Sequence, residues 1–592
     1  MNIVIEQRLK SLRQFMRQHQ LSAFIVPTTD PHASEYTPSF YESRKWISGF
    51  TGSAGTVVIT MSRAALWTDS RYFIAAAEEL DNTEFVLMKD GLEDTPSIAQ
   101  WLLQNLKSGD CVGVDGNVNT IREVQDLQKM LSTSAITLNT DCDPFSEIWE
   151  NRPSLPTNEI HIHPLQYAGE SYQSKLKRLR QKLSIHDCNA MLICALDEIA
   201  WLLNLRGSDV HCTPIFVAYC IVTEENTTLY IDSQKVTAEV AQYLKDENIC
   251  LKEYTEVTTD IQRLQIIDLL LPPETNTTLY HAAQHCSIHL EQSPIAYMKA
   301  IKNDVEIQGY RHAMERDGVA MVKFLRWLIP AVQAGGQTEM STCRKLLELR
   351  KEQELFKDIS FDTIAGYAEH GAIVHYEPTD ATDAILKAEG LLLLDSGAQY
   401  LDGTTDITRT IALGEPSEEE KFIYTLVLKG HIALSSCKFP SGASGTQLDL
   451  AARYAMWQEG YNFGHGTGHG VGSYLCVHEG PHQIRMNYKP APLVEGVTVT
   501  DEPGLYLQGK FGVRTENMLL CVPFKETGFG KFIQFEPLTL CPIDTKPINM
   551  AMLTPTEIQW LNEYHSTVFN RLSPLLTEKD DYQWLKDATK PL

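Results

Sequence analysis

The sequence predicts a mixed fold, with a duplicated α/β first half and an α+β second half that carries the chemistry. The duplication is indicated by a helix-to-strand stretch that begins at Arg8 and recurs from Lys175, with further matching segments downstream. From about Asn303 the pattern changes to a long helix followed by short strands punctuated by glycine. We therefore expect tandem α/β domains ahead of a different catalytic domain.

The duplicated half is expected to form two domains, residues 1–155 and 156–302. RLKSLRQFMRQHQLSAFIV matches KLKRLRQKLSIHDCNAMLI in its leucine and basic positions and in the closing apolar strand. Further along, WISGFTGS in the first copy matches WLLNLRGS in the second, and LWTDS matches LYIDS. Each copy is typical of an amphipathic helix followed by a buried strand and further β structure. The linker ENRPSLPTN, with its prolines and polar residues, suits the boundary between them.

The remaining residues, 303–592, are expected to form one α+β domain. EIQGYRHAMERDGVAMVKFLRWL has apolar residues at helical spacing, and the helix is predicted to end before Pro330. Near the end of the chain, Thr554 is the predicted cap of another helix, with Pro555 in its first turn and Glu557 three residues after the cap. Most of the histidine clustering lies in this half, so the chemistry is expected here.

Composition excludes several classes of protein. Hydrophobic residues make up 43% and charged residues 21% of the 592 positions, which is ordinary globular usage. The 51 basic and 76 acidic side chains give a formal net charge of −25, which argues against nucleic-acid and membrane partners. No apolar run approaches the roughly 20 residues that cross a bilayer, and the first residues do not resemble a secretory signal. Thirteen cysteines without C-x-x-C pairs indicate reduced thiols, so a cytoplasmic location is expected.

LLLLDSGAQYLDGTTDITRTIAL is predicted to be a β-hairpin that presents two carboxylates. If it folds between Tyr400 and Leu401, Asp395 and Asp406 lie directly opposite each other. Opposed β residues have Cβ atoms about 4.5–5.5 Å apart, so two like charges there need a cation or a shared proton. The alternative is that Asp395 caps the turn while Asp406 points to solvent.

TDEPGLYLQGKFGVRTENMLL predicts a second hairpin of the same kind. Folding about Gly509 places Glu502 opposite Glu516. Two glutamates across a hairpin are commonly solvated, but apolar neighbours such as Val499 and Leu519 favour burial here. A buried carboxylate is costly without a partner, so the second pair also calls for a cation.

GHGTGHGVGSYLCVHEGPH lies between the two hairpins. Its glycines make a helix implausible and favour an extended segment, on which His465 and His469 share a face. His478 and Glu479 follow closely. A lone histidine is usually structural, but two histidines, the glycine pattern and this His-Glu pair together favour a functional site.

Four carboxylates and one imidazole form an oxygen-rich ligand set with a charge of about −4, which two divalent cations would neutralise. These ligands suit Mn²⁺, and Co²⁺, Zn²⁺, Fe²⁺ or Mg²⁺ are compatible alternatives. Paired metals about 3.5–4 Å apart can share a hydroxide nucleophile and stabilise a developing oxyanion. The pattern therefore predicts metal-assisted hydrolysis.

The motifs resemble those of the M24 metallopeptidases, which include methionine aminopeptidase, prolidase, aminopeptidase P and creatinase. Over nearly the whole chain, segments such as WISGFTGSAGTVVIT, WLLNLRGSDV and FEPLTLCPID are similar to the long, three-domain cytosolic branch that comprises aminopeptidase P. The resemblance implies two creatinase-like N-terminal domains followed by a pita-bread catalytic domain. The family's dinuclear ligands correspond, position by position, to Asp395, Asp406, His469, Glu502 and Glu516.

The resemblance also implies roles for the metal ligands. Asp395 should serve one metal, and Asp406 and Glu516 should bridge both. His469 and Glu502 should hold the other metal. Glu502 is in addition the candidate for moving a proton from the attacking hydroxide towards the leaving nitrogen.

Further residues are implied to contact the substrate. His375 and His465 should help form the site around the proline side of the scissile bond, and His478 should contact the substrate carbonyl or the transition state. Arg514 is expected either to contact substrate or to orient Glu516 through a bidentate pair. Two aromatic residues are candidates for an apolar wall against the proline ring, the first of which also suits ordinary core packing: Phe361 and Tyr506.

The activity implied is removal of one N-terminal residue from Xaa-Pro-Yaa peptides by a homodimer. Prolidase, acting on Xaa-Pro dipeptides, is the nearest alternative because it uses the same metal set. Creatinase is disfavoured since it lacks a full metal set, and a non-catalytic peptide-binding module would be expected to have lost ligands. One departure is Ser396, where family members often have threonine, and it leaves the ligands undisturbed.

Overall fold

The computed structural model describes residues 2–265 and 268–592. It divides into two compact units. The N-terminal unit comprises Met1–Ile162 with Ser171–Ile295, and the C-terminal unit comprises His163–Glu170 with Ala296–Leu592. Among the described helices, none combines the length and the apolar character needed to span a membrane.

The first part of the N-terminal unit is a six-stranded sheet with the strand order β4-β3-β2-β1-β5-β6. Strand β1 is antiparallel to β2, and β2 to β3, whereas the other neighbours are parallel. The strands are β1 (Ala23–Pro27), β2 (Thr56–Thr60), β3 (Ala64–Thr68), β4 (Phe85–Lys89), β5 (Cys111–Gly113) and β6 (Thr137–Asn139). The helices are α1 (Ile3–Gln18), α2 (Ser43–Ser48), α3 (Phe73–Glu79), α4 (Ile98–Asn105), α5 (Ile121–Leu131) and α6 (Phe145–Ile148), with short 3₁₀ helices at Ser39–Tyr41 and Ser132–Ser134.

The next part of the chain contains a second six-stranded sheet. Its strands are β8 (Ala190–Ile193), β10 (Tyr219–Thr223), β11 (Thr227–Tyr230), β12 (Ile249–Lys252), β13 (Asp268–Leu271) and β14 (Ser287–Leu290), and β7 (His161–Ile162) pairs with β9 (Leu205–Arg206) beside it. The helices are α7 (Leu165–Ala168), α8 (Tyr172–Ile185), α9 (Leu196–Leu202), α10 (Ala238–Asp246), α11 (Val257–Arg263), α12 (Thr277–Ala282) and α13 (Pro294–Ala300), with 3₁₀ turns at Ser233–Lys235 and Tyr254–Glu256.

The two sheets confirm the internal repeat predicted from the sequence. The second has the order β12-β11-β10-β8-β13-β14 and the same succession of parallel and antiparallel neighbours as the first. Leu66 of the LWTDS segment lies in β3, and Leu229 of the LYIDS segment lies in β11, its counterpart. Likewise, Arg8 lies in α1 and Lys175 in α8, each on the helix that precedes the central strand.

The C-terminal unit begins with two helices and ends with two. The helices are α14 (Asp304–Ala334), α15 (Glu339–Lys351), α16 (Glu418–Ser435), α17 (Gly445–Gln458), α18 (Pro555–Leu572) and α19 (Lys579–Ala588), with 3₁₀ helices at Ala368–Ala372, Met550–Met552 and Ser573–Leu575. The strands up to the middle of the unit are β15 (Phe356–Ile359), β16 (Ile364–Tyr367), β17 (Leu391–Ser396), β18 (Ala398–Tyr400), β19 (Gly403–Thr404) and β20 (Ile407–Ala412). The later strands are β21 (Lys438–Pro440), β22 (Gly468–Gly470), β23 (Glu479–Ile484), β24 (Thr498–Asp501), β25 (Gly504–Leu507), β26 (Phe511–Arg514), β27 (Asn517–Thr527) and β28 (Gly530–Pro537).

These strands form small sheets rather than one large one. The sheets are β15-β18-β19, β16-β17-β20 and β21-β28-β27-β24, with the pairs β22-β23 and β25-β26. Their apolar faces are covered by the long helices, and one buried cluster joins Tyr310 of α14, Ile432 of α16 and Leu561 of α18 to the strands. In this packing the polar ends of several strands converge, and the predicted site residues lie at these strand ends.

Two local predictions about helices have different outcomes. Thr554 caps α18 as predicted, since its hydroxyl accepts a hydrogen bond from the Glu557 N–H at 3.3 Å. The predicted end of α14 before Pro330 is wrong, because the helix continues to Ala334. Leu328 and Val332, on either side of the proline, stay buried in a cluster with helix α15, so tertiary packing retains the last turn.

Candidate metal centre

The first carboxylate hairpin forms, but in a different register from the one predicted. Tyr400 pairs with Gly403, and Asp395 pairs with Thr408. The turn is therefore centred one residue later than expected, and Asp395 does not lie directly opposite Asp406. Both aspartates are nevertheless buried, which rules out the alternative in which Asp406 points to solvent.

Tertiary packing explains the shift. Gly403 is a paired strand residue rather than a turn residue, because helix α14 lies directly against it. A Cβ atom at this position would lie 3.2 Å from the Cβ of Ala313 and 3.3 Å from the Cα of Tyr310. The glycine thus permits a helix to approach a strand, and the turn moves to Leu401 and Asp402.

The second carboxylate hairpin has the predicted register. Strands β24 and β27 on one side, and β25 and β26 on the other, pair as expected for a turn centred on Gly509, whose φ is 72°. Glu502 and Glu516 fall between these paired segments and so lie opposite each other. Glu516 is buried, whereas the Glu502 side chain is 18% exposed and is open to a small molecule.

His469 brings the two hairpins together. Ligand atoms of Asp406, His469 and Glu516 all lie within 4.8 Å of one another. The Nε2 atom of His469 lies 3.4 Å from Asp406 Oδ2 and 3.6 Å from Glu502 Oε1. Its Nδ1 atom donates to the carbonyl of Gly470 at 2.9 Å, which leaves Nε2 as the atom that faces the carboxylates. Metal-binding histidines are commonly oriented in this way.

The electrostatics of the site are unbalanced by an excess of negative charge. Burial and the charges of Asp406 and Asp395 raise the pKa of Glu516 well above its ordinary value. Burial also raises the pKa of Glu502, to about 7, although His469 and Arg514 oppose this shift. Burial lowers the pKa of His469, but Asp406 and Glu502 raise it by more, to about 9. Carboxylates that repel one another in this way gain stability from bound cations.

Arg514 contributes a guanidinium group to the cluster. This group pairs with Asp395 rather than with Glu516. Its Nη2 atom donates to Asp395 Oδ2 at 2.7 Å, and its Nε atom donates to Thr408 Oγ1 at 3.1 Å. Thr408 in turn donates to Glu516 Oε2 at 2.7 Å. Of the two alternatives expected for Arg514, the bidentate pair with Glu516 is therefore wrong, since the hydrogen bonds among the described residues link Arg514 to that carboxylate through Thr408.

A chain of hydrogen bonds leads from Arg514 to His465. The Arg514 Nη1 atom donates to the Tyr506 hydroxyl at 2.7 Å, and this hydroxyl lies 2.8 Å from His465 Nε2. His465 Nδ1 donates to the Gly466 carbonyl at 2.7 Å, so in the neutral ring Nε2 accepts from the Tyr506 O–H. Tyr506, which was expected only as a candidate for an apolar wall, thus fixes the orientation of His465 through its hydroxyl.

His478 lies at the same centre, edge-to-face against His469 with ring centroids 4.4 Å apart. The next residue, Glu479, is buried and pairs with two buried ammonium groups, those of Lys299 at 3.0 Å and of Lys302. Burial raises the pKa of Glu479, but these two lysines lower it below its ordinary value. The charged trio therefore anchors the strand that begins directly after His478.

His375 lies on the turn that follows the 3₁₀ helix Ala368–Ala372. Its neighbours Ile373 and Tyr376 pack in one apolar cluster with Tyr506. The segment that carries His375 is thereby joined to the residue that contacts both His465 and Arg514.

The residues present fit a pair of divalent cations. Within the described chain, Asp395 Oδ1 is buried and accepts no hydrogen bond, although its partner oxygen is held by Arg514. A buried carboxylate oxygen without a donor is costly unless a cation fills the position. His469 Nε2 is similarly directed into the cluster by the bond of Nδ1 to a carbonyl.

Comparison with protein families covers nearly the whole chain. The model of metallopeptidase family M24 matches residues 308–523, and that of the C-terminal region of peptidase M24 matches residues 531–592. Two models of the Creatinase/Prolidase N-terminal domain match residues 8–147 and 151–306.

Full-length relatives give the same assignment. Aminopeptidase P2 of Arabidopsis thaliana is 40% identical over 100% of this chain and 89% of its own length. Xaa-Pro aminopeptidase 1 of Dictyostelium discoideum is 39% identical over 100% of this chain and 97% of its own length. The chain belongs to metallopeptidase family M24.

A solved structure extends the agreement to three dimensions. The X-prolyl aminopeptidase of Caenorhabditis elegans, described as a cytosolic enzyme with a dinuclear active site, superimposes on this M24 chain with a TM-score of 0.96. The two are 34% identical, and the match covers 99% of this chain and 100% of the other. The expected fold, creatinase-like N-terminal domains followed by an M24 catalytic domain, is thus confirmed.

Two further residues of this M24 site, Thr408 and Thr410, were not predicted from the sequence. Thr408 links Arg514 to Glu516, and Thr410 exchanges hydrogen bonds with the backbone of Arg514 at 2.9 and 3.1 Å. A signal for them was present, because Thr408 and Thr410 are two positions apart on strand β20 and therefore share a face, and Asp406 directly precedes this strand.

Proposed function

We propose that this M24 protein is a metal-dependent aminopeptidase that releases the N-terminal residue from peptides with proline in the second position. The catalytic chemistry is inferred from the cluster of four carboxylates, three of them buried, and His469, because the negative charge of this cluster calls for cations. The substrate class is inferred from similarity over the whole chain to proteins named aminopeptidase P and Xaa-Pro aminopeptidase. The dinuclear site of the Caenorhabditis elegans relative supports two metal ions.

The two ions would be held by Asp395, Asp406, His469, Glu502 and Glu516. Asp406 and Glu516 are proposed to contact both ions, which agrees with their ligand atoms lying within 4.8 Å of each other and of His469. Mn²⁺ is the metal that this oxygen-rich set favours, with Co²⁺ and Zn²⁺ as alternatives. When bound, the ions supply an activated water and positive charge beside the peptide carbonyl oxygen.

The residues of the chain then handle the substrate and the proton. Glu502 is the most exposed of the four carboxylates, which supports the proposal that it takes a proton from water and returns it to the leaving nitrogen. His478, packed against His469, is proposed to donate to the substrate carbonyl. Arg514 orients Asp395 through a charge-assisted hydrogen bond and opposes the rise that burial causes in the pKa of this carboxyl.

The specificity for proline is assigned to His375, His465 and Tyr506. The proline nitrogen in an Xaa-Pro bond carries no hydrogen, so recognition at that position cannot depend on an N–H donor. The Tyr506 ring, its hydroxyl engaged by His465 and Arg514, presents a fixed apolar face instead. Arg514 is buried and serves three partners, so a direct substrate contact is its secondary proposed role.

We also propose the domain boundaries and the cellular location of the enzyme. Domain boundaries near residues 155 and 302 are supported by family matches to 8–147 and 151–306 and by the start of the M24 match at 308. A cytoplasmic location is supported by the description of the Caenorhabditis elegans relative as cytosolic.

The proposed homodimer is supported by an exposed apolar stripe on helix α17. Leu450, Tyr454 and Trp457 are spaced so that they share one face, and Tyr454 is 58% exposed. Met486 and Tyr488 add exposed apolar surface close to the start of this helix, where Thr446 donates to the backbone of residue 487. Contiguous apolar surface of this kind is typical of a subunit interface.

Tyr454→Glu is expected to convert the dimer into a monomer, because it places a charge in the middle of the stripe. Light scattering coupled to size-exclusion chromatography would measure the mass of the wild type and of the variant. Phe529→Glu, at a hairpin tip where the aromatic ring is 95% exposed, serves as the control and should leave the mass unchanged. A monomeric wild type, or a variant that stays dimeric, would contradict the proposal.

The function is tested by metal analysis coupled to a panel of peptides. We expect two divalent ions per chain, loss of activity after chelation, and recovery when Mn²⁺ is added. Among Ala-Pro, Ala-Pro-Gly and Ala-Ala-Gly, only Ala-Pro-Gly should be cleaved efficiently. Preference for the Ala-Pro dipeptide would identify a prolidase instead, and cleavage of Ala-Ala-Gly at the same rate would remove the proline specificity.

A further inference from the structure

A fully buried carboxylate, that of Glu339, lies outside the metal centre and makes an unusual number of hydrogen bonds. It is in the first turn of helix α15, where the helix dipole favours a negative charge. Its side chain is 0% exposed, and among the described residues its ion-pair partner is His370 rather than a lysine or arginine. Such a group is costly to bury, so its contacts indicate what it does.

The hydrogen bonds of the Glu339 carboxylate all fall on one segment of the described chain. Its Oε1 atom accepts from the backbone N–H of Tyr367 at 2.8 Å and from His370 Nδ1 at 2.9 Å. Its Oε2 atom accepts from the Tyr376 hydroxyl at 2.8 Å and from the backbone N–H of Ala384 at 3.0 Å. The backbone N–H of Glu339 also donates to the carbonyl of Ala384 at 3.1 Å.

His375 lies in the middle of the segment that Glu339 holds, from Tyr367 to Ala384. The hydrogen bonds of Glu339 to this segment are called the clamp below. Tyr367 and His370 precede His375, Tyr376 follows it directly, and Ala384 lies beyond it. The segment 368–383 contains no strand and only the short 3₁₀ helix, so backbone pairing within it does little to fix its path. Glu339 therefore supplies fixed points on both sides of the histidine.

The clamp also affects the surroundings of Tyr506, in the neighbouring part of the site. The Tyr376 ring lies against that of His370 in a tilted arrangement with centroids 4.5 Å apart, and it packs with Ile373 in the apolar cluster that includes Tyr506. A displaced Tyr376 would therefore move both the backbone beside His375 and the surface against which Tyr506 rests. None of these contacts involves a carboxylate of the metal centre.

We propose that Glu339 is a positioning residue that acts through His375 and sets its place on the proline side of the substrate. The inference rests on the proposed function, because it takes His375 to be a substrate contact. It does not require Glu339 to touch substrate or metal. Loss of the clamp should therefore weaken catalysis while the metal content stays the same.

Glu339→Gln is the main test. The amide nitrogen would face donors that now meet a carboxylate oxygen, so about two of the hydrogen bonds are lost. Displacement of a substrate contact by about 1 Å can cost 10²-fold, and we expect kcat/KM for Ala-Pro-Gly to fall about 10- to 100-fold, mainly through KM. Two metal ions per chain should remain bound. Glu348→Gln, on an exposed residue of the same helix, is the matched control and should have no effect.

A double-mutant cycle separates positioning from general damage. In a His375→Ala background, Glu339→Gln should change kcat/KM by less than about 2-fold, because the residue through which it acts is gone. An equal loss in both backgrounds, or a loss of metal, would overturn the inference. If Glu339→Gln does not fold, Tyr376→Phe removes one donor and keeps the ring, and its smaller loss should likewise vanish in the His375→Ala background. A wild type that does not cleave Ala-Pro-Gly overturns the proposed function itself, and with it this inference, which distinguishes the two failures.

Discussion

Asp406→Ala is expected to abolish peptide cleavage, even in buffer supplemented with Mn²⁺. Partners that only orient metal ligands contribute about 10–100-fold, so loss of a carboxylate proposed to contact both ions should exceed that range and leave no measurable turnover. The metal-free variant should, however, be at least as stable as metal-free wild type. The reason is that one of several mutually repelling buried carboxylates has been removed.

Three measurements check this expectation: metal stoichiometry, turnover of Ala-Pro-Gly, and the thermal unfolding temperature with and without chelator. Asp402→Ala is the matched control. Asp402 is a buried aspartate of the same hairpin, but it pairs with Arg316 instead of facing the cluster. The control should lose stability and keep both metal ions. Turnover close to the wild-type rate in Asp406→Ala would refute the proposed metal centre.

The parts of the fold that follow local rules could be predicted from the sequence. The repeated helix and strand patterns led to two equivalent sheets, and Thr554 with Glu557 marked a helix start. The predictions that failed depended on contacts between distant residues. Helix α14 continues through Pro330 because its apolar face remains buried, and the turn of the first carboxylate hairpin moves by one residue because the same helix lies against Gly403.

In the candidate site, too, features set by local sequence could be predicted, and features set by contacts between distant residues could not. Residue types and spacing predicted the four carboxylates, His465, His469 and His478 as candidates because each motif is local, whereas His375 was named only through the family resemblance. The register about Gly509 followed from one turn. The partner of Arg514 could not be read from spacing, since Asp395 is 119 positions away and lies on another hairpin. Glu339 carried no signal, because a glutamate in the first turn of a helix is ordinary and its partners lie 28 to 45 residues further on.

Arg514→Met should damage the metal centre almost as severely as loss of a ligand, although Arg514 binds no metal. Its guanidinium holds Asp395, Thr408 and Tyr506 in three directions, and through Thr408 it fixes Glu516. Breaking a buried ion pair by removing one partner costs about 3–5 kcal/mol, so the metal-free variant should unfold at a clearly lower temperature. Activity on Ala-Pro-Gly should fall at least about 100-fold.

Arg514→Lys separates the charge of this residue from its shape. A lysine retains the positive charge, but a single ammonium group cannot serve three partners in fixed directions. We therefore expect Arg514→Lys to recover much of the lost stability and little of the activity, as measured by calorimetry and peptide hydrolysis. Arg350→Met, which breaks another buried arginine–aspartate pair in the same unit, should lower stability without altering the affinity for Mn²⁺. Full activity in Arg514→Lys would mean that only the charge matters and that the hydrogen bonds from Arg514 through Tyr506 to His465 have no part in orienting the site.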